Sequence, residues 1–449
     1  MAGSTTHHVD ADVIVIGAGA AGLAAACTLA GQSLQTIVVE ARDRIGGRVW
    51  TVPTAGTAVP AELGAEFIHG LAPETTALLR KAGTAAIETG GEPWTRDDDC
   101  ELRHMDTDFM SSASILERAR TLAADESVDR YLQRFSDDAT MRETVEAARA
   151  FVEGFEAADP ALASVQAIAA ELRSGVDGSA ARPIGGYRPM FEYLHESCIA
   201  AGARVFLSTV VRTISWRRGA VAVDVMTGQG GARTLRGRAA VVTLPVGVLR
   251  YVGNDSKLAF EPGLPVPKRE ALAAMEMGHV VKVALRFRTA FWERLRKRRY
   301  RDAAFFRCPG DPFPTYWTQF PVRSELIAAW VGGPKARLLA SAGKEEIVER
   351  ALDGFGALFG EIALARDEFE SGIVHDWGSD PFARGAYSYV TVGGTNARAA
   401  LATPVDETLF IAGEATSTDG QGGTVNGALE TGVRAAREVV DSLEGTLHG

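Results

Sequence analysis

Residues 10–30, DADVIVIGAGAAGLAAACTLA, leave few folds open. An apolar β-branched run, Val13 to Ile16, breaks at Gly17 and Gly19 and passes through Ala21 and Gly22 into an Ala-rich stretch of helical composition. Strand, tight glycine turn and helix start, in that order, make a cradle for a pyrophosphate. The glycines let backbone approach the ligand, and the first turn of the helix offers unpaired N–H groups and about half a positive charge. A second apolar run, Thr36 to Val39, ends at Glu40, where a carboxylate suits the diol of a ribose. The spacing predicts the opening of a doubly wound α/β unit that binds a dinucleotide. Glycines also make ordinary turns, so the fingerprint needs its context.

That context is EARDRIGGRVW, residues 40–50. Arg42 and a second glycine turn, Gly46-Gly47, carry Arg48 toward the same place, a feature that a plain nicotinamide site does not need. Near the C-terminus, IAGEATSTDGQGGTVNGALETG reads as a strand ending at Gly413-Glu414, a glycine-rich turn, and a helix starting near Thr424, whose hydroxyl suits an N-cap.

A chain of 449 residues suggests two or three domains, and 46% apolar with 23% charged residues is the balance of a soluble globular protein. A net charge of −10 argues against wrapping nucleic acid or anionic lipid, so neither is expected as a partner. Cys27, Cys100, Cys198 and Cys308 are scattered, with no disulfide framework and no metal spacing, as expected in a reducing, cytoplasmic setting. No metal site is expected. The leader MAGSTTHHVDAD lacks the features of a signal peptide, and no apolar run approaches the roughly 20 residues that span a bilayer. The sequence is compatible with a homodimer as well as a monomer.

The periodicities divide the chain. Residues 1–72, 203–254 and 376–449 read as a discontinuous Rossmann-like domain, with ARVFLSTVVRTISW and AAVVTLPVGVL as returning strands. Residues 73–202 show helical spacing, as in MRETVEAARAFVEGFEA, and read as a mostly helical insertion. Residues 255–375 mix short strands, such as VVKVALRF and ELIAAWVGG, with the amphipathic helix KEEIVERALDGFGALFG. The two excursions together form the expected substrate domain, and the cleft between domains is the expected site.

The runs IGAGAAGLAAA, EARDRIGGRVW, AELGAEFIHG, TLPVGVL, VVKVALRF, DPFARGAYSYV and LFIAGEATS through TVNGALETG occur in the order of the flavin-dependent amine oxidase family, which this chain resembles over nearly its whole length. The resemblance implies FAD. It assigns to the cofactor Gly17, Gly19, Ala21, Gly22, Glu40, Ala41, Arg42, Gly46, Gly47, Arg48, Gly64, Ala65, Glu66, Phe67, Val211, Thr243, Leu244, Pro245, Trp377, Tyr387, Gly413, Glu414, Thr424, Val425 and Ala428. Arg48 is expected to add positive charge at the pyrophosphate. The last helix is expected to point its N-terminus at the flavin pyrimidine ring.

Four residues are implied as catalytic. Lys282 stands where the family keeps a lysine that holds a water against flavin N5. Tyr387 stands at the aromatic wall, with Trp377 near the same ring. His69 matches a histidine near the substrate amine of polyamine oxidases, and Glu66 in the same loop is expected to attract a distal ammonium. Ala386 replaces the cysteine of the covalent flavoenzymes, so noncovalent FAD is expected. Thr424 replaces a second tyrosine, leaving half an aromatic cage.

The implied reaction moves hydride from the α-carbon of a small neutral amine to the flavin, gives an imine that water hydrolyses, and returns electrons to O2 as hydrogen peroxide. A polyamine or diamine is favoured over a small aryl monoamine. Two alternatives stand. An L-amino acid oxidase needs a basic residue for the α-carboxylate, Arg188 or Arg384 being examples. A flavin-binding module without turnover needs neither Lys282 nor Tyr387.

Overall fold

The structure is a computed structural model, and it describes residues 9–96, 101–105, 113–173, 180–253 and 257–445. Cys100 and residues 1–8 of the leader lie outside the described residues. The fold is mixed α/β, as the sequence predicts.

A five-stranded parallel sheet carries the expected dinucleotide fingerprint. Its order is Arg204–Phe206, Thr36–Val39, Val13–Ile16, Ala239–Val242 and Leu409–Ile411. The last four of these strands are buried throughout, which is why they read as unbroken apolar runs rather than alternating ones. Val13 and Val15 face one core, and Ile14 and Ile16 the other.

On the first face lies helix Ala20–Gly31, whose small side chains are buried on nearly every side. Its alanines allow close approach of helix Val425–Gly445: a Cβ added at Gly432 would stand 2.2 Å from the carbonyl oxygen of Ala21. On the second face packs a four-stranded sheet containing strand Thr209–Arg217.

A seven-stranded sheet forms a second centre, in the order Phe369–Asp376, Val280–Phe287, Leu326–Gly332, Thr315–Trp317, Ala303–Arg307, Glu92–Arg96 and Leu102–His104. Helix Lys344–Phe359 covers it with Ile347, Ala351, Leu352 and Phe355. Lys282 lies on its second strand, paired across to His375 on one side and Trp330 on the other.

The stretch 73–202 differs from a uniform helical insertion. Helices between residues 114 and 171 do form their own core, with Phe151, Val152 and Ile168. Helices Pro73–Lys81 and Arg188–Ala200 instead turn Leu79, Met190, Phe191 and Leu194 into the core of the Ala-rich first helix. Glu92–Arg96 and Leu102–His104 extend the seven-stranded sheet, and Ala180–Pro183 joins Ile68–His69 and Ala86–Glu88 in a small sheet. The chain therefore passes repeatedly between the two centres, and the walls of the space between them come from both.

Candidate active site

A cavity of about 970 Å³ runs between the two sheets. Every residue assigned above to cofactor or catalysis lines it, with the exception of Gly22. Gly22 has a packing role, since a Cβ there would stand 1.8 Å from the carbonyl oxygen of Gly17. Gly17 itself has φ +106°, which only glycine adopts readily. The two glycine loops meet directly: Gly46 donates its N–H to the Ala18 carbonyl at 2.9 Å.

Glu40 accepts from the backbone N–H of Ala18 and of Arg42, each at 2.8 Å. A carboxylate has about four acceptor positions, so room remains for two hydroxyl donors. Thr424 Oγ1 accepts from the N–H of Gly427 at 2.9 Å and so caps the last helix, whose first residues Val425 and Asn426 line the cavity. Backbone cradle, diol acceptor and capped helix start together fit a flavin dinucleotide.

The two arginines also make ion pairs within the protein. Arg42 binds Asp380 at 2.8 Å. Burial opposes ionisation of Asp380, but hydrogen bonds from His375 and Arg42 outweigh it and hold the carboxyl below its usual range. Arg48 lines the cavity and is also paired within the protein. Its Nη1 donates to Glu414 Oε1 and to the Ala386 carbonyl, both at 2.8 Å. Glu414 also accepts from the Ser388 hydroxyl at 2.7 Å, and against burial Arg48 and Arg398 keep it ionised.

Lys282 is 1% exposed. Its Nζ stands 2.6 Å from Glu66 Oε2 and 3.1 Å from the Gly64 carbonyl, and 5.1 Å from the centre of the Trp317 ring. Glu66 Oε1 accepts from Arg182 Nε at 2.8 Å, Trp317 Nε1 at 3.0 Å and Gln319 Nε2 at 3.4 Å. Burial pushes the Glu66 carboxyl up, but Lys282 and Arg182 outweigh it and keep it ionised. Three of these four donors converge on Oε1 and Lys282 alone meets Oε2, so Glu66 is already engaged by two cations.

Trp377 donates Nε1–H to the Leu63 carbonyl at 2.8 Å and meets His375 edge-on at 4.2 Å. Tyr387 donates its hydroxyl to the Phe155 carbonyl, and burial keeps that phenol protonated far above the usual range. His69 lies edge-on to Phe155 at 5.1 Å. Phe155, Phe305, Trp317 and Trp330 complete an aromatic arm of the cavity that sequence reasoning did not single out. Neither Arg188 nor Arg384 lines the cavity; Arg188 pairs with Glu192 on the surface.

Among the described residues no group of three metal-ligating side chains gathers, and no helix is long and apolar enough to cross a membrane.

Glycine loops for a dinucleotide, joined in one cavity to a buried lysine and an aromatic wall, define a dinucleotide-dependent oxidoreductase. The model of the flavin-containing amine oxidoreductases matches residues 20–440, and the chain belongs to that family of enzymes. Polyamine oxidase 2 of Arabidopsis thaliana is 30% identical, over 95% of this chain and 87% of its own. Lysine-specific histone demethylase 1 homolog 2 of Oryza sativa subsp. japonica is 29% identical over 98% of this chain, which spans only 58% of that relative. This chain spans 30% of Lysine-specific histone demethylase 1 homolog 3 of Arabidopsis thaliana. Among solved structures, cyclohexylamine oxidase from Brevibacterium oxydans IH-35A superposes with a TM-score of 0.80 at 24% identity, covering 97% of this chain and 100% of its own. Putrescine oxidase bound to putrescine gives 0.78 at 23%, covering 96% and 99%. These likenesses show the fold.

Proposed function

We propose that this protein oxidises a primary or secondary amine with an apolar body, using noncovalent FAD, with dioxygen as acceptor. The observation that carries the reading is that Lys282, Tyr387 and Trp377 face the same cavity as both glycine loops. When bound, FAD supplies a two-electron acceptor. The α-carbon and nitrogen of the amine lose two electrons and two protons to give an imine; water converts this to a carbonyl compound and ammonia or a shorter amine. Dioxygen takes the two electrons and two protons as hydrogen peroxide.

The protein's own groups orient and exclude. Tyr387 presents a neutral ring face beside the cofactor cradle, held by its bond to Phe155, and the aromatic arm shields the amine from water. Ala386 has no thiol with which to bond a flavin, so the cofactor is held by the cradle alone.

The carboxylates around the cavity favour an apolar amine over a polyamine. Glu66 is paired with Lys282 and Arg182, Glu414 is paired with Arg48, and Glu171 is paired with Arg398 at 2.9 Å. Glu156 supports the second reading, a diamine. It lines the cavity, and burial, with Glu171 nearby, pushes its carboxyl up to about 8, so it is mostly uncharged at neutral pH. A distal ammonium would have to draw off that proton, at a cost of about 1.4 kcal/mol at pH 7.

Peroxide release from the FAD-loaded protein separates the readings. Cyclohexylamine-like and arylalkyl amines are expected to turn over with the highest kcat/KM. Putrescine or spermidine ahead of them, with the preference lost in Glu156→Gln, would establish the diamine reading. L-amino acids ahead of their decarboxylated amines would overturn both.

A further inference from the structure

Lys282 is tied to a carboxylate that is itself tied to a second buried cation. We propose that Glu66, Arg182 and Lys282 act as one unit of net charge +1, in which Glu66 is the positioning residue that aims Lys282, and Arg182 is the second cation that leaves the unit positive toward the flavin. This rests on the reading of the cavity as a flavin site.

The geometry allows little else. An ammonium has three donors, and Lys282 spends two of them on Glu66 Oε2 and the Gly64 carbonyl. Both acceptors belong to the loop between Glu62 and Ile68, which lines the cavity, so they fix the direction of the third N–H. A lysine on a four-carbon stem would otherwise have many rotamers.

Glu66 alone would neutralise Lys282 and leave no field. Arg182 changes the sum. Its Nε binds the other oxygen of Glu66, while Nη1 and Nη2 donate to the carbonyls of Phe320 and Thr318 at 3.1 and 3.0 Å. Its guanidinium also lies 4.6 Å from the Phe67 ring centre. Arg182, on strand Ala180–Pro183, is thereby tied to the segment that follows strand Thr315–Trp317. Two cations and one anion give the unit a single positive charge; burial pushes the neighbouring Glu62 carboxyl, which feels both Lys282 and Glu66, up to about 7, so the potentials are compared at pH 6, where Glu62 is mostly protonated. In a medium of low dielectric such a charge acts over several ångströms. The expected effects are a raised affinity of the bound flavin for electrons and support for the anions that form as oxygen is reduced.

Charge arithmetic supplies the test. The midpoint potential of the bound flavin is measured by dye equilibration, which needs no amine. Lys282→Met leaves Glu66 and Arg182, net zero, and is expected to lower the equilibrium constant for reduction about tenfold, which is about 30 mV for a two-electron couple. The double variant Glu66→Gln/Lys282→Met leaves Arg182 alone, net +1, and is expected to return the potential to within about 10 mV of wild type. A merely structural cluster predicts the opposite order, with the double variant perturbed at least as much as the single one. That order, or an unchanged potential in Lys282→Met, would overturn the proposal. Lys282→Arg keeps the charge count and serves where the methionine variant does not fold; it must hold the potential of the wild type. Absence of bound flavin in the wild type contradicts the cofactor reading instead, so the two failures are distinct.

Discussion

Arg48 Nη1 lies 2.8 Å from Glu414 Oε1, joining the second glycine loop to the turn before the last helix across 366 residues of sequence. The same nitrogen holds the carbonyl of Ala386, the residue before the aromatic wall. Loop, wall and helix start are thus set by one guanidinium. Removing one partner of a buried pair costs roughly 3–5 kcal/mol. Arg48 is 23% exposed and Arg398 stays 4.0 Å from Glu414, so Arg48→Met is expected to lose less than that range, about 2–3 kcal/mol. Urea unfolding of the apoprotein measures it, and flavin content after gel filtration should fall in parallel.

Stability should also fall steeply in acid. Glu66, Glu414 and Asp380 all have folded-state carboxyls held below their unfolded values, for Glu66 and Glu414 against burial by cationic partners. Their contribution is present above the unfolded values near pH 4 and is lost as pH drops through the lower folded ones. Melting between pH 7 and pH 3 should show an early loss in wild type that Arg48→Met shows less, because one of the three pairs is already gone.

Glu156 has the opposite sign. Its folded carboxyl, pushed up to about 8 by burial and Glu171, binds a proton that the unfolded chain releases near pH 4.3, so it costs stability increasingly from about pH 4.5 to pH 8. Glu156→Gln is therefore expected to gain stability relative to wild type at pH 8.5 and little at pH 4.5, the difference being up to about 5 kcal/mol. Equal effects at both pH values would contradict a buried neutral acid.

Lys282→Met should keep its yellow flavin and still be reduced by amine, while reoxidation in air slows at least tenfold. Stopped-flow measurement of the two half-reactions separates them. Slowed reduction with normal reoxidation would place Lys282 on the amine side instead.

The parallel sheet was legible because its strands are buried on both faces and its glycines sit at a spacing that backbone geometry imposes. Lys282 stood out as an ammonium between valines. Its partners did not. Arg182 lies just before Gly185-Gly186 in a stretch whose period is helical on either side, and its anchorage depends on contacts more than 100 residues away. Glu66 was visible, but a carboxylate's role depends on how many donors reach it, and Trp317 and Arg182 arrive from distant segments. The pairing of Arg48 was hidden for the same reason: its buried acceptor is Glu414.

Anaerobic mixing of the flavin-loaded protein with a cyclohexylamine-like amine tests the central claim most directly. The flavin absorbance near 450 nm should bleach, faster with rising pH between about 6 and 9 as the free amine replaces its ammonium form. Admission of air should restore it with one peroxide formed per amine consumed. A flavin that dithionite reduces but that no amine in a panel of apolar amines, polyamines and amino acids can bleach would contradict the account.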